Sequence, residues 1–191
     1  MATAAAAPSR QRILDAALVL MSEHGASGTS MRQLAEACEL NVATLYHHFP
    51  SKSDLFRAVV AEQGYLDRMS TDDPPAELST LGPPAARLAG LVTWLWDEVV
   101  AEEAVWRLLI GEAMRGDPTA REEARVLVEG MDVALAGWVT QTVPELADRA
   151  APVARLVRAT LFNLMVGHLA LGPDPERAST DIAGLVQALL P

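Results

Sequence analysis

The chain has 191 residues with a formal net charge of −10; half of them are apolar, 5% are aromatic, and there is one cysteine. A single cysteine excludes an internal disulfide, and the apolar half excludes disorder over most of the length. Ala and Leu dominate and β-branched runs are scarce, so helix is the expected element and a large sheet is not.

The longest apolar stretch, Ala159 to Leu171, is interrupted by Asn163 and His168 and is too short to cross a bilayer. The opening residues lack the apolar run of a secretion signal, so a reducing cytoplasm without membrane attachment is expected. Excess acid argues against a polyanionic partner, because phosphate binding needs Lys and Arg to displace counterions. Its distribution changes that. Residues 1–69 hold six Lys and Arg against seven Asp and Glu, whereas residues 70–191 hold nine against eighteen. Asn41 to Ser53 contains no acid, two histidines and the chain's only lysine, Lys52. That surface could face phosphate, although charge alone does not separate this from a chance gap.

In chain order, Ile13, Leu14, Ala17, Leu18 and Met21 share one helical face after Pro8 and Ser9, and Gly25 is a natural stop. Ser30 followed by Gln33 has the form of a capping box and opens a second helix with Met31, Leu34, Ala35 and Cys38 inward. Asn41 is an N-cap for a short third helix ending at Phe49, before Pro50. Ser53 and Asp54 start a fourth, running to about Gly64. Ser70 to Pro84 holds four of the twelve prolines and reads as a connector. Five further helices are expected: Ala85 to Ala101, Glu103 to Arg115, Pro118 to Thr142, Pro152 to Leu171 and Pro175 to Leu190.

Two short helices joined by a tight turn can place the second in a DNA major groove while the first braces it. On a wheel centred on Leu45, Phe49 lies beside it, Ala43, Thr44 and His47 point away, Tyr46 sits on the flank and Val42 falls nearer the core. An outward face with a hydroxyl, an imidazole, a phenol and no acid suits contact with bases and phosphates. For Tyr46 and His48, packing competes with DNA contact. The adjacent His47 and His48 diverge by about 100° on a helix and do not converge on a metal, and no metal or cofactor is expected.

Gly28-Thr29-Ser30-Met31-Arg32-Gln33-Leu34-Ala35, followed by Asn41-Val42-Ala43-Thr44-Leu45-Tyr46-His47-His48-Phe49-Pro50-Ser51-Lys52, resembles the TetR family of repressors. The detailed likeness covers about residues 9–60; beyond it, only length and helical character agree. The resemblance implies that Thr44, Tyr46, His47 and His48 contact DNA, that Val42 and Ala43 approach base edges, that Lys52 meets a phosphate and that Arg32 reaches the groove or its rim. It implies an all-α fold of about nine helices. The helix-turn-helix domain would span residues 1–52, and residues 53–191 would form a helical ligand-binding and dimerisation domain. Glu39 departs from the family, which usually has glycine in this turn.

In the second half, Leu88, Leu91, Val92, Leu95 and Val99 make one stripe, with Trp96 at its edge and Trp94 opposite. Trp94, Trp106, Met114, Met131, Trp138 and His168 are the candidate lining of an adaptable apolar cavity, which is where the family holds its inducer. Ordinary core is the competing account of each. The penultimate helix is apolar nearly all round, through Phe162, Val166 and Leu169, and the last carries Ile182, Leu185, Val186 and Leu189 on one face with Ala183, Gly184 and Ala188 beside them. Pairing both with their symmetry mates gives a four-helix bundle, the family's usual dimer interface.

The expected function is therefore a ligand-responsive repressor binding a palindromic double-stranded DNA operator as a homodimer and released by a small hydrophobic molecule. The alternative is a helical binding module whose helix-turn-helix no longer reads DNA. No phosphate loop, clustered metal ligands, nucleophile elbow or Cys-His pair points to an enzyme.

Overall fold

The computed structural model describes residues 9–62 and 73–190, and among them all regular structure is helical. Nine α-helices occur in this part of the chain: α1 (Ser9–Gly28), α2 (Met31–Ala37), α3 (Val42–His48), α4 (Lys52–Glu62), α5 (Pro84–Ala101), α6 (Glu103–Arg115), α7 (Pro118–Thr142), α8 (Ala150–Leu171) and α9 (Pro175–Leu189). The expected extension of the fourth helix to Gly64 and the start of the connector at Ser70 lie outside the described residues.

Contacts divide the chain into two compact units. The first holds α1 to α4 with Ala104–Arg125, and the second holds the rest of α7 with α5, α8 and α9. In the first, Ile13, Leu14, Ala17 and Met21 of α1 are buried together with Leu34, Leu45, Leu55, Phe56 and Val59. Helix α1 packs on α2 and α4, and α2 on α3. The capping box forms as its residues require: Gln33 N donates to Ser30 Oγ at 3.2 Å and Ser30 N to Gln33 Oε1 at 2.8 Å. Asn41 Oδ1 accepts from Ala43 N at 2.6 Å, and Phe49 closes α3 through a 2.9 Å bond to Leu45 O. Cys38 is buried, and burial pushes its thiol pKa up against the opposing pull of Arg12.

In the second unit α9 packs against α5 and α8, and α5 against α8. Its core comprises the α5 stripe Leu88, Leu91, Val92, Leu95 and Val99 with Val153, Val157, Leu161, Leu164 and Met165 of α8. The connector differs from a structureless link, for Ala76–Thr80 form one 3-10 turn. Leu78 and Leu81 from this turn lie so close to α5 that a Cβ on Gly90 would stand 2.8 Å from Leu81 Cδ1. Proline spacing signals the break, but only contact with α5 orders the turn. A second 3-10 turn, Pro144–Arg149, leads into α8, which starts two residues before Pro152 and so places that proline in the first turn.

Candidate functional site

Helix α3 is fixed by one buried side chain, Leu45, and by its two capped ends. Its remaining surface is thereby displayed. Ala43 and His47 are exposed, Tyr46 is 48% exposed, and Thr44 and His48 are half-buried. Val42 is 36% exposed, which corrects its expected place nearer the core. At the first position of a seven-residue helix, no preceding turn covers it. The ring of His48 lies 6.5 Å from that of Phe49 and 5.8 Å from that of His47.

Lys52 is placed by more than its helix. Its Nζ donates to Thr29 O at 3.2 Å, which holds the ammonium beside the turn before α2 and leaves its other protons for an anion. Ser51 and Asp54 cap α4: Asp54 N donates to Ser51 Oγ at 3.0 Å, and Ser51 Oγ donates to Asp54 Oδ2 at 2.7 Å. Arg32 is exposed and pairs with Glu36 at 3.0 Å. Such an exposed pair contributes about 0.3–0.5 kcal/mol, too little to keep the guanidinium from a phosphate.

Glu39 sits at φ 54°, the left-handed region that glycine occupies without penalty. The turn between α2 and α3 thus carries backbone strain of about 1–2 kcal/mol and an exposed acid near the outward face of α3. Asparagine tolerates this geometry better. Glu39→Asn is expected to raise stability by about 0.5–1 kcal/mol in urea denaturation. It should also tighten binding to every DNA sequence at low salt. Unchanged stability would show that the strain is relieved by other means.

A lock that the expectations above missed underlies this surface. Glu112 of α6 is 2% exposed, and its Oε1 accepts from Ala26 N at 2.9 Å and from Arg115 Nη1 at 2.6 Å. Gly25, at φ 76° and ψ 159°, interrupts α1 there, and a Cβ on it would stand 2.9 Å from that same oxygen. Thr29 Oγ1 donates back to Gly25 O at 2.9 Å. Hydrogen bonds therefore run in series from Glu112 through Ala26, Gly25 and Thr29 to Lys52. The signal was present: Glu112 continues the stripe Val105, Leu108, Leu109 at helical spacing, and a carboxylate on a buried stripe requires partners.

The other candidate residues scatter. Trp94 and Trp138 meet edge to face with centroids 5.6 Å apart, and Met131 is buried in the same unit. His168 lies against Trp96 at 5.9 Å, and its Nε2 is 3.2 Å from Glu103 Oε2. Trp106 and Met114 belong to the first unit, Trp106 buried and Met114 80% exposed. Of the residues expected at a dimer interface, Phe162 and Val166 are exposed and Leu169 and Leu185 half-buried. Ile182, Val186 and Leu189 are buried within the chain, because folding uses the single wide apolar face of α9 against α5 and α8. Ala183, Gly184 and Ala188 of α9 are exposed, beside polar residues such as Thr180 and Gln187.

Helices α2 and α3, both capped and packed with α1, turn the acid-free face of α3 outward and have the form of a helix-turn-helix DNA-binding unit. Residues 13–59 match the family model of bacterial regulatory proteins, tetR family. The HTH-type transcriptional repressor KstR of Rhodococcus jostii is 27% identical over 178 residues, covering 93% of this chain and 79% of KstR. The HTH-type transcriptional regulator UidR of Escherichia coli is 42% identical over 57 residues, which are 30% of this chain and 29% of UidR. The crystal structure of a putative TetR-family regulator from Mesorhizobium loti superposes with a TM-score of 0.71 over 98% of both chains, at 22% identity. Residues 13–59 thus carry a DNA-binding domain of the tetR-family type, and the chain as a whole is similar to transcription regulators of that family.

Proposed function

We propose that the protein is a repressor that binds a two-fold symmetric operator as a homodimer and leaves it when a small molecule binds. Residues 1–52 serve DNA recognition, and residues 53–191 serve dimerisation and ligand binding. The observation that carries this reading is the outward face of α3 beside a pinned Lys52. Between Asn41 and Ser53 every exposed side chain is neutral or basic, as a surface against phosphate requires. Val42, Ala43, Thr44, Tyr46 and His47 take the base edges and the rim of the groove, and Lys52, Arg32 and His48 take the backbone. The exposed Phe162 and Val166, with the small residues of α9, support pairing with a second copy, which would place two recognition helices about 34–36 Å apart on one face of the duplex.

A ligand releases the operator only if it prefers a conformation that binds DNA poorly, and a hundredfold effect needs a bias of about 2.7 kcal/mol. That lies within reach of one small apolar molecule.

The test is a mobility-shift titration on the DNA flanking the protein's own gene, together with selection from random oligonucleotides. Lys52→Ala is expected to weaken binding to all sequences by a similar factor and to lower the salt slope by about one. His47→Ala should instead alter the preference among sequences. Equal losses for His47→Ala on operator and random DNA would remove it from the reading face. Absence of salt-sensitive binding in both assays would favour a helical binding module that no longer reads DNA.

A further inference from the structure

A cavity of about 170 Å³ lies between the C-terminal turns of α8, the start of α9 and Trp96 of α5. Its apolar wall comes from Trp96, Leu164, Leu171 and Ala178, and its polar groups are His168, Asp174 and Arg177. The volume suits one ring with a short substituent, since an apolar cavity of about 150 Å³ is enough to hold benzene. The acids are already engaged. Asp174 Oδ1 accepts from Arg177 N at 3.0 Å as the cap of α9, and Glu103 is held by His168. The Arg177 guanidinium is engaged at one nitrogen: among the described residues Nε makes a 3.7 Å ion pair with Asp181. Gly167 lines the cavity beside it, and a Cβ there would come into ordinary contact, 3.7 Å, with Arg177 Nη1. A flat fork of donors next to an indole matches a planar carboxylate attached to a ring. A phosphate, carrying more charge, would ask for more than one such cation.

We propose that this cavity is a binding site for small carboxylic acids built on a single six-membered ring, with the carboxylate on Arg177 and the ring against Trp96. His168, held by Glu103 and set against Trp96, completes the lining. The link to DNA release rests on the ligand-responsive reading above; the site itself does not.

The experiment uses the full chain and five single-ring probes, benzoate, benzamide, benzylammonium, phenylacetate and cyclohexanecarboxylate, followed by titration calorimetry. Benzoate is expected to bind once per chain, at least about tenfold more tightly than benzamide, because only it offers a charge-assisted pair. Arg177→Gln should bring benzoate down to the benzamide level, and Gly167→Leu should block both. Arg177 is on the surface of α9, so the first variant keeps the test open if the second fails to fold. The proposal is overturned if benzylammonium binds most tightly, if benzoate and benzamide bind alike, if neither substitution changes benzoate binding, or if benzoate, phenylacetate and cyclohexanecarboxylate all fail to bind. Operator release is then measured over the same benzoate range, each variant against its own ligand-free baseline. Release at the binding midpoint, lost with Arg177→Gln, supports both site and control of DNA. Arg177-dependent binding that leaves the operator occupied supports the site and separates it from that control.

Discussion

Gly25→Ala is expected to cost about 3–5 kcal/mol of stability, from two sources that meet at one atom. At φ 76° and ψ 159° the residue occupies a region that only glycine populates readily, at a cost of about 1–3 kcal/mol for any other residue. The new Cβ would also stand 2.9 Å from Glu112 Oε1, and moving that carboxylate aside takes the acceptor from Ala26 N. A buried donor left unpaired costs about 1–3 kcal/mol more. Thermal unfolding followed by circular dichroism should fall by roughly 6–20 °C for a chain of this length. The double variant Gly25→Ala, Glu112→Ala should lose less than the sum of the single changes, because the steric conflict needs both side chains. Strict additivity, or a loss below about 1 kcal/mol for Gly25→Ala, would show that the lock is not made as described.

Disrupting the proposed dimer should have the largest effect on DNA. Phe162 and Val166, at 53% and 36% exposure, lie one turn apart on α8, so Phe162→Glu with Val166→Glu should leave the helical circular dichroism signal intact while sedimentation shows a monomer. Operator affinity should fall by about 100-fold or more, since each recognition helix then binds without the effective concentration that the other supplies. The salt slope should drop to about half, as half the phosphate contacts remain. Ile182→Glu is the contrast: buried inside the chain, it should reduce the folded fraction rather than separate two folded copies. A double variant at Phe162 and Val166 that still sediments as a dimer would place the interface on another face.

Local signals carried much of the fold. The caps Ser30 and Asn41, the prolines at the starts of α5, α7 and α9, and the repeat of apolar residues along α5 placed these helices to within a residue or so of their observed ends. Capping and helical periodicity act over four residues or fewer, so the chain needs no distant contact to express them. The outward face of α3 was legible for the same reason: a short helix with Leu45 as its one buried anchor must turn the rest outward.

The rest depended on which distant segment came to lie opposite. Glu112 could be marked as an acid on an apolar stripe, but not as the acceptor for Ala26, eighty-six positions away in the chain. The geometry of Gly25 follows from that meeting. Helix α9 displayed one apolar face and no sign of whether its own chain or a second copy would cover it; packing on α5 and α8 took Ile182, Val186 and Leu189 for the interior. The tryptophans were legible as apolar mass, yet only tertiary packing paired Trp94 with Trp138 and turned Trp96 towards His168. Sequence by itself determined where helices begin, where they end and which face of each is apolar, because those are properties of neighbouring residues. Tertiary structure decided what each face meets, because burial is a relation between segments that no local pattern contains.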